Sequence, residues 1–239
     1  MTTMNPATRE KLMGVSVATL CSALYKRGLR NQTIQDVRPV KPKGRNMVGP
    51  AFTLRYMPAR EDRNPMSVFR NPEHPQRLAI ETCPEGCVLV MDSRKDARAA
   101  SAGDILITSL MKRGGAGVVT DGGFRDAATI GELDIPAYHN RPSSPTNLTL
   151  HEAIDIDVPI GCGEVPVFPG DIVVGDDDSV IIIPAEIADE VADEAVEMTA
   201  YEDFVTERVK QGHTIIGLYP ATDEANLALF ADWRAKAGR

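Results

Sequence analysis

Gly103–Asp126 reads GDILITSLMKRGGAGVVTDGGFRD, and the parsing of this stretch decides the fold. It opens on Gly-Asp ahead of an apolar pattern at helical spacing, Ile105–Arg113. Lys112 and Arg113 suit the negative end of that helix, and Gly114 and Gly115 stop it. Ala116–Thr120 is a continuous apolar run of strand length. DGGFRD then reads as a tight turn, its glycines freeing the backbone, with Arg125 and Asp126 emerging from it. One helix and one returning strand are expected to bring Asp104 to Arg125 and Asp126. Together they supply a helix N-terminus, a guanidinium and carboxylates, the parts that hold an anionic oxo acid beside a divalent metal.

Each piece has a plainer reading when taken alone. Asp104 is a good N-cap, which leaves the amides of Ile105 and Leu106 for a ligand carboxylate, yet most Gly-Asp pairs before helices are caps and nothing more. Arg125–Asp126 in isolation is an ordinary surface ion pair. Their junction through a single helix–strand unit is what favours a site.

Working outward, Thr8–Arg27 has apolar residues at helical spacing (Leu12, Val15, Leu20, Leu24) and predicts one amphipathic helix ended by Gly28. Ala51–Tyr56 predicts a strand. Pro58–Pro75 is polar and proline-punctuated, an insertion read as a surface excursion with the potential to act as a lid or partner contact. Arg77–Thr82 predicts a short helix and Cys87–Asp92 a buried strand, followed by a polar loop from Ser93 to Asp104. Ala127–Leu133 and Ile135–Tyr138 continue the alternation as helix and strand. From Ile156 to Pro184 the pattern changes to short β runs separated by Gly, Pro and Asp, an antiparallel or barrel-like element. Ala185–Lys210 is a long helix with a solvated acidic face, and a helical tail segment follows Tyr219.

Composition narrows the classes. With 239 residues, 43% of them hydrophobic, the chain has material for one large domain, taken as 1–239. A net charge of −8 and the lack of any Lys/Arg run argue against a direct nucleic-acid partner. The N-terminal MTTMNPATREKLMG has no apolar signal core and no segment reaches membrane-span length, so a cytoplasmic protein without a membrane partner is expected. Cys83 and Cys87 form a C-x3-C pair that no second pair or histidine cluster completes, and ordinary reduced thiols are expected.

Other polar groups are weighed against bland alternatives. Lys95, in a charged loop, and Lys112, at a helix end, read as surface lysines rather than Schiff-base nucleophiles. Asp176–Asp178 reads as a tight turn. Arg94, Lys95, Asp96 and Arg98 are candidates for the pocket mouth. His139 and His151 lack metal-ligand spacing and read as hydrogen-bonded.

At the level of motifs the chain resembles the class II pyruvate aldolases of the 4-hydroxy-4-methyl-2-oxoglutarate aldolase/RraA-like group. Asp104, the twenty residues Ile105–Phe124, and Arg125–Asp126 match the family's spacing. Val48–Tyr56 (VGPAFTLRY) looks like its VGPAxTxR strand, and Val165–Pro184 (VPVFPGDIVVGDDDSVIIIP) like its PGDxxxxDxDGVVxxP segment, with Ser179 where the family usually has Gly. The Pro58–Pro75 excursion and a helical C-terminal extension from about Gly212 look longer than in compact members.

The resemblance implies an α/β fold of layered β/β/α type with a barrel-like mixed sheet, an RraA-like swivelling-domain arrangement, assembled as a homotrimer or homohexamer. It implies a carbon–carbon lyase, a metal-dependent pyruvate aldolase acting on a small 4-hydroxy-2-oxo acid, with oxaloacetate decarboxylation open to the same enolate chemistry. In that role the backbone from Gly103 through Asp104 and Ile105 to Leu106 holds the substrate carboxylate. Arg125 binds the oxo-acid oxygen and steadies the enolate. Asp126 positions Mg²⁺, Mn²⁺ or another divalent metal, and Asp104 assists through water. The base that removes the C4 hydroxyl proton is a metal-bound water or an acid from a neighbouring subunit, with Glu194, Glu197 and Glu202 as candidates. The same family implies a second possibility, a non-catalytic protein-binding regulator of ribonuclease activity.

Overall fold

The computed structural model describes residues 4–238. Met1–Thr3 and Arg239, the ends of the expected 1–239 domain, lie outside the described residues. The first half contains α1 (Pro6–Met13), α2 (Val17–Lys26), β1 (Arg38–Pro39), β2 (Met47–Pro58), α3 (Pro75–Thr82), β3 (Val88–Asp92), β4 (Ala100–Ala102), α4 (Asp104–Lys112), β5 (Gly117–Thr120) and β6 (Gly123–Phe124). There follow α5 (Ala127–Glu132), β7 (Ala137–His139), β8 (Arg141–Pro142), β9 (His151–Ile156), β10 (Ile160–Cys162), β11 (Val165–Val167), β12 (Ile172–Gly175), β13 (Val180–Ile183), α6 (Ala188–Lys210) and α7 (Glu224–Ala237).

Among the described residues the main sheet runs β1-β7-β5-β3-β2-β12-β13, with β9 also paired to β2. It is mixed: β2, β3, β5 and β7 are mutually parallel, while β1, β9, β12 and β13 join antiparallel. One segment of chain nearly closes it into a barrel. Thr33 bridges Ile181 of the β13 edge, and five residues later Arg38 pairs with His139 of β7. The antiparallel content expected after Ile156 is present as the hairpins β10–β11 and β12–β13.

Strand alternation explains why these runs are apolar throughout. Val88 and Val90 of β3, Val119 of β5 and Val173 and Ile182 of β12–β13 face a barrel interior that the β10–β11 hairpin helps fill with Cys162, Val165 and Val167. The opposite faces of the same strands are also buried. Leu89 and Met91 pack with Ile80, Ile107, Leu110 and Ile130 from α3, α4 and α5. Val174, Ile181 and Ile183 pack with Leu12, Leu20, Leu24 and Val191 from α1, α2 and α6. A strand with helices on one side and a filled barrel on the other has no polar face, hence the unbroken run in VLVMD.

The single helix expected over Thr8–Arg27 is two. Gly14 caps α1, and Ser16 starts α2 by accepting the Thr19 amide at 3.1 Å. Asp176 explains the break. Its carboxylate takes the Val17 amide at 2.8 Å and those of Asp178 and Ser179 at 2.9 and 3.0 Å, so the Asp176–Asp178 run is a structural turn that also holds a helix start. The expected tail helix is α7, and with α6 it encloses a small aromatic cluster of Tyr201, Phe204, Phe230 and Trp233. Among the described residues no helix is long and apolar enough to cross a membrane.

Candidate active site

A second sheet carries the polar pairs of the opening stretch. β4, β6 and β8 are parallel, in that order, and two of them fall where loop or turn was expected: β4 inside Ser93–Asp104 and β6 inside DGGFRD. The glycines of DGGFRD serve packing, not turning. Gly122 and Gly123 are buried, and a β-carbon on them would lie 2.6 Å from Cβ of Ser93 and 2.5 Å from Cβ of Ser143 respectively. The strands lie too close to their neighbours for any side chain, which is what Gly–Gly encodes here.

Because β4 and β6 are parallel neighbours, the residues that leave their C-terminal ends emerge side by side. Gly103–Asp104 follows β4, Arg125–Asp126 follows β6, and the Arg125 amide donates to the Ala102 carbonyl at 2.9 Å. The C-terminal edge of parallel strands is the usual ligand position in α/β sheets. Asp126 sits in the left-handed region at φ 53°, ψ 35°, a conformation Asp tolerates better than most residues. Its side chain makes no capping bond to α5. Oδ2 lies instead 3.2 Å from where a β-carbon on Gly103 would be.

The helix entrance differs from the expectation in one respect. Gly103, not Asp104, is the N-cap of α4, and Asp104 is the first helical residue. Asp104 turns back so that Oδ1 accepts the Ile105 amide at 2.8 Å, and the Leu106 amide goes to the Gly103 carbonyl at 3.1 Å. Neither amide is vacant.

Asp104, Arg125 and Asp126 line a cleft of about 200 Å³ together with the Gly103–Leu106 backbone. That is below the roughly 300–1,000 Å³ of sites for drug-sized ligands and suits a small acid. None of the three charged side chains enters an ion pair with another described residue. No lysine and no carboxylate besides Asp104 and Asp126 lines the cleft among the described residues. Lys95 is engaged with Glu164 at 2.9 Å and Lys112 ends α4. Of the pocket-mouth candidates, Arg94 bonds the Leu150 carbonyl and Asp96 pairs with Arg98, and none reaches the cleft. Glu194, Glu197 and Glu202 also lie elsewhere: Glu194 is held by Lys26 and Arg27, Glu197 by Arg234, and Glu202 by the Thr19 and Tyr219 hydroxyls.

Several cleft residues escaped the sequence reading. Phe69, on a 3-10 turn (Met66–Arg70) of the Pro58–Pro75 excursion, and Gln76 and Arg77 of α3 form part of the wall, as do Thr146 and Asn147. The signal for them was slight: an aromatic in an otherwise polar insertion, and an arginine at a helix start.

The support behind the site is a buried hydroxyl chain. Ser93 Oγ lies 2.7 Å from Ser101 Oγ, which lies 2.6 Å from Thr120 Oγ1, and Thr120 Oγ1 accepts the Gly122 amide at 2.9 Å. The Ser101 carbonyl accepts from the Tyr56 hydroxyl at 2.8 Å and Gln76 Nε2 at 2.5 Å. Burial holds the Tyr56 phenol well above its ordinary pKa, so it stays a donor. Asp121, fully buried, accepts the amides of Ser93, Lys95 and Gly163 at 2.6, 3.0 and 3.1 Å. Those bonds hold Arg94 and Lys95 at φ 58° each, two successive non-glycine residues in the left-handed region. Burial raises the Asp121 pKa and the three amides oppose the rise.

The sequence signature of the RraA-like family, described as Aldolase/RraA, matches residues 17–182. The chain belongs to the RraA-like family. Among relatives, a Halalkalibacterium halodurans protein named "Putative 4-hydroxy-4-methyl-2-oxoglutarate aldolase" is 31% identical over 171 residues, 71% of this chain and 73% of that one. Among solved structures, Streptomyces coelicolor RraAS2, described as an unusual member of the RNase ES inhibitor RraA protein family, is 30% identical with a TM-score of 0.75, covering 85% of this chain and 98% of that one. An uncharacterized Pseudomonas syringae protein superposes with a TM-score of 0.78 at 22% identity over 92% of this chain and 100% of its own, a likeness of fold. The mixed α/β architecture with a nearly closed barrel-like sheet is thus that of RraA-like proteins.

Proposed function

We propose that the protein is a divalent-metal-dependent aldolase that cleaves a 4-hydroxy-2-oxo acid and releases pyruvate, with oxaloacetate decarboxylation as a related activity. The observation that carries this reading is the presentation of Asp104, Arg125 and Asp126, none in an ion pair with another described residue, from adjacent parallel strand ends into one small cleft. A few convergent polar groups at one small cleft are the usual marks of a small-molecule site. The absence of lysine from the described cleft walls favours a metal-assisted over a Schiff-base route.

Two carboxylates suit Mg²⁺ or Mn²⁺, which commonly bind one or two protein carboxylates and keep waters or substrate oxygens for the rest. Asp126 would be the main ligand and Asp104 an outer one. When bound, the cation supplies Lewis-acid stabilisation of the 2-oxo acid.

The chain's own residues would do the remainder. Arg125 donates a planar fork to the oxo-acid oxygen on which negative charge grows as the C3–C4 bond breaks, leaving a pyruvate enolate. The C4 hydroxyl loses its proton as the departing fragment becomes a carbonyl. A substrate carboxylate arriving at the start of α4 replaces the Asp104 carboxylate on the Ile105 amide and frees Asp104 toward the cleft. With no third carboxylate lining the cleft, the proton acceptor is water or an acid from a neighbouring copy in a homotrimer or homohexamer.

The test is pyruvate release from a panel of 4-hydroxy-2-oxo acids and oxaloacetate, with Mg²⁺ and after chelation, for the wild type, Arg125→Ala and Asp126→Ala. Metal-dependent turnover lost in both variants is expected. No turnover on any panel member by folded wild-type protein overturns the reading. A second reading, a regulator of ribonuclease activity, is favoured by the likeness to the Streptomyces coelicolor RNase inhibitor family member. Inhibition of a ribonuclease by wild type and by Arg125→Ala alike, without pyruvate release, would select it.

A further inference from the structure

The cleft holds a second guanidinium that the pyruvate reading does not use. Arg77 comes from α3, not from the β4/β6 corner, and lines the same 200 Å³ as Arg125. Its guanidinium carbon lies 4.6 Å from the centroid of the Phe69 ring, and Phe69 in turn meets His74 edge-on at 5.1 Å. The Nε of Arg77 is buried without a hydrogen-bond partner, and Arg77 forms no ion pair with a described residue. An aromatic face fixes the plane of a guanidinium without satisfying its in-plane N–H donors. A partly buried arginine left that way is complete when a carboxylate docks on its edge.

The charge balance points the same way. Arg77 and Arg125 offset Asp104 and Asp126, so a divalent cation added at the aspartates leaves the cleft with two positive charges. A ligand with two carboxylates neutralises both. One belongs to the 2-oxo acid end near Arg125. The other lies on the half of the substrate that departs as the carbonyl fragment.

We propose that Arg77, held over the Phe69 ring, is the specificity-determining residue that binds the distal carboxylate of the substrate, so that the Pro58–Pro75 insertion shapes the non-pyruvyl half of the site. This rests on the proposed pyruvate site and adds the other end of the substrate to it.

The experiment uses two probes that share the 2-oxo acid end. 2-Oxoglutarate has a distal carboxylate and 2-oxobutanoate does not. Each is titrated calorimetrically into the full chain with Mg²⁺, for wild type, Arg77→Ala, Arg77→Lys and Phe69→Leu. Wild type is expected to prefer 2-oxoglutarate by about tenfold or more, the scale of one charge-assisted hydrogen-bonded contact. That preference collapses in Arg77→Ala and is partly kept in Arg77→Lys, where charge remains but the fork is gone. In Phe69→Leu it falls to an intermediate value. Because the measure is a ratio within each variant, a folding defect that weakens both probes leaves it unchanged. Equal affinities in wild type, or a ratio that Arg77→Ala does not alter, overturns the assignment of Arg77. Absence of detectable 2-oxobutanoate binding while 2-oxoglutarate binds is the extreme of the expected preference, and Arg77→Ala must then weaken 2-oxoglutarate. Failure of both probes to bind folded wild type overturns the pyruvyl reading on which the assignment rests.

Discussion

A β-carbon on Gly103 would sit 3.2 Å from Oδ2 of Asp126, so the end of one strand is held open for the carboxylate that follows its neighbour. Gly103 has φ −123° and ψ 178°, ordinary extended backbone that any residue adopts, so its glycine is explained by that contact and not by conformation. Gly103→Ala is therefore expected to lower stability by no more than about 1 kcal/mol, the scale of a helix-cap change. The added methyl pushes Asp126 aside, and displacements well under 1 Å at a reacting centre cost on the order of tenfold in rate. Thermal melting and a Mg²⁺ titration of pyruvate release separate the two effects. Full activity with an unaltered metal response would show that the contact is not functional.

Asp126 offers a cleaner dissection because Asn shares its tolerance of positive φ. Asp126→Asn keeps the left-handed corner and removes only the charge. Asp126→Ala loses both, at a backbone cost of about 1–2 kcal/mol. Chemical denaturation should place the Asn variant near wild type and the Ala variant below it, while metal-dependent turnover is lost in both. An active Asn variant would exclude a metal-ligand role for the carboxylate.

Arg125→Lys keeps a positive charge and forfeits the planar fork. Removing one well-placed donor to a developing oxyanion lowers turnover by about 10²–10³-fold, and a lysine should recover little of it. Steady-state kinetics with a saturable substrate decides the matter. A kcat/KM within a few-fold of wild type would assign Arg125 a diffuse electrostatic role.

How much of this was readable in advance follows from which interactions are local in sequence. Asp104 and Arg125–Asp126 were legible because a single helix and strand fix their separation, and the strand run in Val88–Asp92 was legible because burial on both faces leaves an unbroken apolar word. The second sheet was not. β4 and β6 are three and two residues long, too short for any periodicity, and they exist because parallel neighbours and the Ser93–Ser101–Thr120 hydroxyls hold them. The break at Gly14–Ser16 depends on Asp176, far along the chain, and Arg77 reaches the cleft only through the packing of α3. Asp121 looked like part of a turn, while its carboxylate in fact shapes the loop before β4.

Mild acid should destabilise the fold through its buried histidines. His139 is buried against Phe124, their rings 5.6 Å apart, with Nδ1 unpartnered. Burial first, and the nearby Arg38 charge second, depress its pKa from 6.5 to about 4. Burial likewise lowers His151 and His74, the latter with help from Arg77. A histidine whose folded pKa lies below its unfolded value keeps the native state neutral while the unfolded chain takes up a proton. The stability it contributes is complete above about pH 6.5 and is lost as pH falls toward the folded pKa. For His139 that window runs from 6.5 to about 4 and corresponds to roughly 3 kcal/mol. Asp121 opposes the trend, since its raised pKa means the folded state protonates first. Denaturation midpoints should therefore fall between pH 7 and 5. His139→Phe, which keeps a ring beside Phe124 and removes the titrating group, should flatten that slope by the His139 share. A wild-type midpoint constant from pH 7 to 5 would mean that these buried imidazoles accept protons in place.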